Sequence, residues 1–188
     1  ILSANDADRC VTCHLGLEDP RFKDAPQPYT THPGKNRHDF IKFGCTICHQ
    51  GQGLATTVED AHGRVAFWEE PMLSKDELQA SCTHCHEENY LKDGPVISRG
   101  KELFTSLGCH GCHNLAGYES LPKSGPSLQR IGNKVDSSWL KSWIKEPKKH
   151  QPNTQMPDFR FQENEADAIA AYLMSQSESK YQKSAKYD

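Results

Sequence analysis

The chain is 188 residues long, 35% of them hydrophobic, with a mean hydropathy of −0.78 and a formal net charge of −3. That is a lean supply of apolar side chains for a core and far from the basic footprint of a nucleic-acid binder; the longest apolar candidate, 169–174, falls well short of the run of about 20 that a membrane span needs. All 8 cysteines fall inside four copies of one five-residue pattern, which leaves none for a structural disulfide or a thiol nucleophile and so excludes a cysteine enzyme.

The first copy is Cys10-Val11-Thr12-Cys13-His14 and the second is Cys45-Thr46-Ile47-Cys48-His49. Cys82-Thr83-His84-Cys85-His86 and Cys109-His110-Gly111-Cys112-His113 follow. C-x-x-C-H is the attachment signal for c-type haem: two sulfurs form thioethers to the porphyrin edge, and the adjacent histidine reaches the iron from one face. Four copies predict four covalent haems, held by Cys10, Cys13, Cys45, Cys48, Cys82, Cys85, Cys109 and Cys112, with His14, His49, His86 and His113 on the irons. Histidine makes up 10 of 188 residues, so its following all four pairs by accident has a chance of roughly one in 10⁵. Zinc sites and disulfides are the plainer readings of paired cysteines. A zinc ribbon favours about 15 to 20 residues between its knuckles, and the gaps from Cys13 to Cys45 and from Cys48 to Cys82 are much wider. Covalent plates also answer the shortage of apolar residues, because the chain needs only to wrap them.

Residues 1–93 hold few periodic apolar runs and many turn formers, among them Asp19-Pro20, Pro26, Pro28, Pro33-Gly34, Gly51 and Gly53. This predicts loops and short helices clamped around haems, each motif closing one helical turn. Gly51 and Gly53 either admit a close backbone or second haem, or mark an ordinary turn. Asp93-Gly94-Pro95 breaks the chain and sets the expected boundary, with a trihaem module over 1–93, a monohaem domain over 94–176 and a polar tail over 177–188. Ser98 is the expected cap of a helix presenting Leu103, Phe104 and Leu107 and stopped by Gly108. Asp136 caps another, carrying Trp139, Leu140, Trp143 and Ile144 and ended by Pro147. A third runs over 163–176 with Ala166, Ile169, Ala170 and Leu173 on its buried face. The fold class is mainly α with extensive loops and little or no β. Charge is unevenly divided, 9 basic against 15 acidic side chains in 1–93 and 13 against 10 in 94–188. Such a division suits steering between the halves or toward different partners, or is a solvated surface without such a role.

Residues 94–188 resemble a class I cytochrome c. The likeness is carried by the helix leading into Cys109, Cys112 and His113, by Gly125-Pro126-Ser127-Leu128, by the 139–144 helix, by Met156-Pro157 and by the closing helix with Tyr172. The resemblance implies a helical domain around one haem whose sixth ligand is a loop methionine, here Met156; Met72 and Met174 do not match that position. Residues 1–93 resemble the multihaem c cytochromes through their three motifs and through His32-Pro33, Lys42-Phe43-Gly44-Cys45 and Ala61-His62-Gly63. The whole chain is similar to cytochrome c subunits that accompany membrane quinol-oxidising cytochrome b complexes. That similarity implies such a complex as electron donor, a soluble or terminal redox protein as acceptor, and a place in a larger oxidoreductase assembly. Haem of this kind is attached after export, so a periplasmic or other extracytoplasmic location is implied, with Ile1 following a removed leader or anchor. No nucleic-acid partner and no transmembrane segment in this sequence are expected.

Four of the ten histidines follow motif cysteines, and His84 and His110 sit between them, where they are expected to splay away from their own iron. His32, His38, His62 and His150 remain. The first three lie in the half whose three haems lack a second ligand, so His32, His38 and His62 are the expected distal ligands, with Met72 and His84 as substitutes. Three bis-His haems and one His/Met haem offer no open iron, which points to electron transfer rather than catalysis. Methionine ligation raises the potential relative to two imidazoles, so electrons are expected to arrive at the trihaem module and leave through the class I haem. Lys145, Lys148, Lys149 and His150 then form either a landing patch for an acidic partner or a solvated helix end. The alternatives are a haem enzyme with one open iron, of nitrite reductase or peroxidase type, and a polymerising conductive filament; the enzyme reading lacks any C-x-x-C-K. Mass spectrometry of the denatured mature protein should retain four haem masses, and three or fewer would count against the four-haem reading.

Overall fold

The computed structural model describes residues 8–33, 38–86, 91–119 and 122–176, and among them there is no β-strand. The chain divides into two compact units, Ile1–Leu73 and Ser74–Asp188.

The first unit is built from turns of three or four residues: Arg9–Thr12 and Pro20–Phe22 as 3₁₀ turns, and Phe40–Phe43, Thr46–His49 and Val58–Ala61 as single α-turns. Asp8, Asp19 and Thr57 cap three of these, each side-chain oxygen accepting from a backbone amide at the start of its turn. Gly51, at φ +82, resolves one expectation: a β-carbon there would stand 2.4 Å from the Ala61 carbonyl oxygen, so what approaches is backbone. Among the described side chains no hydrophobic residue of this unit is buried, and the buried positions are Gly16, Gly51 and Gly63. Ten large apolar side chains lie exposed instead: Val11, Leu15, Phe22, Tyr29, Phe43, Leu54, Val58, Phe67, Trp68 and Met72.

The second unit has a core. Its opening helix, Pro95–Ser106, crosses its closing helix, Glu163–Met174, and Leu140 and Ile144 of a middle helix, Ser137–Lys145, pack into the same cluster as Ile97, Leu103, Phe104, Leu115 and Ile169. The crossing depends on Gly100, where a β-carbon would stand 1.9 Å from the Ala168 carbonyl oxygen. Phe104 and Tyr172 meet across it with ring centroids 5.5 Å apart. The middle helix starts as expected, the Asp136 carboxylate accepting from the Trp139 amide at 2.7 Å, and the closing helix carries a capping box of Gln162 and Glu165.

Two details differ from the sequence expectations. The opening helix begins at Pro95, not after Ser98, because a proline fits the first helical position, where its missing N–H has no intrahelical partner to lose. Ser98 instead binds the Leu91 backbone, while the amides of Val96 and Ile97 donate to the side-chain oxygen of Gln79, at 2.7 and 3.3 Å. The division of the chain falls after Leu73, ahead of the expected boundary at Asp93-Gly94-Pro95. The turn that carries the third motif, Leu78–His84, packs on the opening and closing helices, and the Thr83 hydroxyl reaches both the Ala80 and the Ser175 carbonyl oxygens. The expected tail over 177–188 lies outside the described residues.

A Gly100→Ala change gains about 1 kcal/mol of helix propensity but drives a methyl into backbone. The net expectation is a loss of about 1–3 kcal/mol, read as an earlier guanidinium midpoint for the second unit.

Candidate functional site

All four motifs close in the same way. The amide of the motif histidine donates to the carbonyl of the first cysteine, His14 to Cys10 at 2.9 Å and His49 to Cys45, His86 to Cys82 and His113 to Cys109 at 3.0 Å each. A turn of that pitch sets residues four apart on one face, so the first cysteine and the histidine address the same side. None of the eight cysteines is in a disulfide; the first of each pair is half-buried, and Cys13, Cys85 and Cys112 are exposed.

At the fourth motif the histidine is fully oriented. His113 Nδ1 lies 2.8 Å from the Pro126 carbonyl oxygen; a carbonyl only accepts, so Nδ1 carries the proton and Nε2 keeps its lone pair for a metal. Gly125 makes the seat, since a β-carbon there would stand 2.8 Å from the ring, and its amide donates to the Cys112 carbonyl at 2.8 Å. Met156 is held from behind by the Trp143 indole N–H, which donates to its sulfur at 3.1 Å. His110 stacks on Tyr118 with ring centroids 4.9 Å apart.

In the first unit two histidines from outside the motifs, His62 and His32, each lie beside a motif histidine. His14 and His62 have ring centroids 6.4 Å apart, and His32 and His49 have theirs 5.9 Å apart. Two imidazoles bound through nitrogen at about 2.0–2.1 Å on opposite faces of one metal would have centroids roughly 6.3 Å apart. Burial lowers the pKa of His32, His49 and His62 below the ordinary 6.5, with the charges of His32 and His14 adding to it at His49 and those of Arg64 and His14 at His62. Neutral rings with available lone pairs result. His62 Nδ1 is buried without a hydrogen-bond partner. His38 stands edge-on to Phe43 with centroids 6.0 Å apart, and His86 is exposed.

Asp8 carried no signal in the sequence beyond that of an ordinary N-cap, because its partners Cys45 and Thr46 lie far along the chain. Its Oδ2 accepts from the amides of Cys45 and Thr46 at 2.6 and 2.9 Å, and its Oδ1 from that of Cys10 at 3.2 Å. Burial works against its charge, but the hydrogen bonds from Cys10, Thr46 and Cys45 prevail and hold its carboxyl below the ordinary 3.8. One oxygen of Asp8 and the sulfurs of Cys10 and Cys45 lie within 4.8 Å of one another. The contact between the two thiols pushes Cys10 up and Cys45 down.

These residues fit c-type haem: paired thiols, neutral imidazoles and a positioned thioether are its ligand chemistry, and the first unit exposes the apolar side chains that a large plate would cover. The proposed landing patch is less free than its charges imply. Lys145 pairs with Glu163, Lys149 with Glu146 at 3.0 Å, and His150 Nε2 sits 2.8 Å from the Ser142 hydroxyl. Among the described residues no helix is long and apolar enough to cross a membrane.

Residues 97–177 match the cytochrome c family. The chain is similar to "Cytochrome c-551" of Bacillus subtilis (strain 168), 37% identical over 82 residues, covering 44% of this chain and 65% of that protein. It is also similar to a nitric oxide reductase subunit of Stutzerimonas stutzeri, 30% identical over 82 residues, covering 42% of this chain and 56% of that protein. The chain thus spans less than two thirds of either relative.

Gly125→Ala should push the His113 ring off the Pro126 carbonyl. The expected outcome is a smaller low-spin fraction at the fourth motif in the oxidised visible spectrum, with the other three motifs unchanged.

Proposed function

We propose, starting from the match of residues 97–177 to the cytochrome c family, that the chain is an extracytoplasmic electron-transfer protein with four covalent c-type haems. In this reading the three bis-His haems of the first three motifs pass electrons to a His/Met haem and on to a redox partner. The observation that carries it is the repetition of one turn at all four C-x-x-C-H sites, each histidine amide bound back to its first cysteine. Bound there, haem supplies reversible one-electron iron chemistry.

The chain's own residues do the rest. The eight cysteines anchor the plates. His113, with its proton committed to Pro126, offers Nε2 to iron, and Met156, steadied by Trp143, offers sulfur from the other face. His14 works with His62, and His49 with His32, as the ring separations of 6.4 and 5.9 Å support. His38 is the third distal histidine and His86 the proximal ligand of the third motif, with no haem assigned to His38. Iron with both faces taken has no place for a substrate, which favours an electron carrier over an enzyme of nitrite reductase or peroxidase type. Of the two relatives, one is named a cytochrome and the other a reductase subunit, which supports work within a larger oxidoreductase assembly. A membrane quinol-oxidising complex is the proposed donor, a soluble or terminal redox protein the acceptor, and the periplasm the compartment.

His62→Ala should turn the haem on Cys10 and Cys13 high-spin or water-bound, and His32→Ala the haem on Cys45 and Cys48, each without loss of haem. Electron paramagnetic resonance with peptide-resolved haem mapping checks the pairing, and an unchanged spectrum removes that histidine from the ligand set. Met156→His should lower the highest of the four midpoint potentials, because a second imidazole favours Fe(II) less than thioether sulfur does. A titration in which the haem on Cys109 and Cys112 is not the first reduced overturns the direction of flow.

A further inference from the structure

Asp8 belongs to no motif, yet its single carboxylate closes the start of two. The helical turn Thr46–His49 has Cys45 at its N-cap, with no side-chain hydrogen bond of its own from that position. Asp8 supplies the missing acceptor to the amides of Cys45 and Thr46, from 37 and 38 residues away, at 2.6 and 2.9 Å. The same side chain caps its own turn, Arg9–Thr12, by accepting from the Cys10 amide at 3.2 Å. Two glycines make the slot. A β-carbon on Gly44 would stand 3.3 Å from Asp8 Oδ2 and one on Gly53 3.4 Å from its carboxyl carbon, while the Gly53 carbonyl takes the Arg9 amide at 2.7 Å. The result is that the sulfurs of Cys10 and Cys45, the first attachment points of two different motifs, lie within 4.8 Å of each other and of the carboxylate.

We propose that Asp8 is a positioning residue that sets the haems of the first and second motifs edge to edge as one electronically coupled pair, and that its fixed charge lowers both their potentials. This rests on the four-haem reading above. Each of the two sulfurs carries its own porphyrin edge, so clamping the sulfurs together clamps the edges. A carboxylate held at the shared edge opposes the arrival of an electron on either side of it. The charge and the link between the motifs are separable: Asp8→Asn removes the charge and, with its one oxygen on the amides of Cys45 and Thr46, keeps the reach to the second motif while giving up the Cys10 bond, and Asp8→Ala removes both charge and reach.

The test uses the full mature chain as wild type, Asp8→Asn and Asp8→Ala, with three measurements on each: haem mapping by peptide mass spectrometry, electron paramagnetic resonance of the oxidised protein, and a potentiometric titration. The expected wild-type result is haem on both the Cys10/Cys13 and Cys45/Cys48 peptides, with magnetically coupled low-spin signals. Asp8→Asn should raise the two potentials and leave that of the haem on Cys109 and Cys112 in place. Asp8→Ala should raise them as well and lose the coupling, giving two isolated bis-His signals. Wild-type protein without haem on either peptide overturns the four-haem reading and the pair with it. Haem on both peptides with no coupling, or with potentials in Asp8→Asn equal to wild type, overturns the role of Asp8 alone. Should Asp8→Ala fail to mature, Asp8→Asn still decides through its potentials.

Discussion

The described part of the first unit has no buried apolar side chain, and its local structure follows from that shortage. Ordering a residue costs about 1.5 kcal/mol, and a net hydrogen bond returns about 1 kcal/mol at best in such a setting. Turns of three or four residues do not stand by themselves either, because isolated helices shorter than about 12 residues are marginal in water. Ten large apolar side chains lie exposed around two C-x-x-C-H turns, surface that a bound plate would cover. The glycines mark the same economy, since Gly51 and Gly16 let backbone meet backbone where a larger protein would interpose side chains.

The second unit solves the problem in the ordinary way. Its opening and closing helices bury Leu103, Phe104, Ile169 and Leu173 against one another, and the absence of a side chain at Gly100 sets how closely they approach. The third motif rests on that core, tied by Thr83 to the closing helix and by Gln79 to the opening one. The third and fourth motifs therefore share one packed body. Lys141 bridges Glu163 and Asp167 at 2.6 and 2.5 Å and ties the middle helix to the closing one, though exposed pairs of this sort are worth only about 0–1 kcal/mol each. Their larger effect is on the surface field. Lysines already paired within the domain present a weaker positive field than the same residues counted from the sequence.

Asp8 and Gln79 are the same device used twice. Each is a polar side chain from one segment that accepts the orphan amides at the start of another, far along the chain. Where neither turn has a strong cap of its own, such a residue fixes position as well as local stability. In the first unit it sets two attachment turns side by side, and in the second it seats a motif on the helix that leads toward the next one.

The sequence by itself determined the four C-x-x-C-H motifs, the likeness of the second half to a cytochrome c, the helical fold and the histidines that stand outside the motifs. Those are properties of residue type at short, fixed spacing: C-x-x-C-H is complete within five residues, and the apolar stripes of the middle and closing helices repeat every three or four. Only the tertiary structure decided which histidine faces which, that the third motif packs with the second unit, that Pro95 starts a helix rather than breaking the chain, and that the basic cluster is largely paired. The reason is physical. The pairings of His14 with His62 and of His32 with His49, and the reach of Asp8 to Cys45, join positions whose separation along the chain bears no relation to their separation in space, and no local pattern records a contact of that kind.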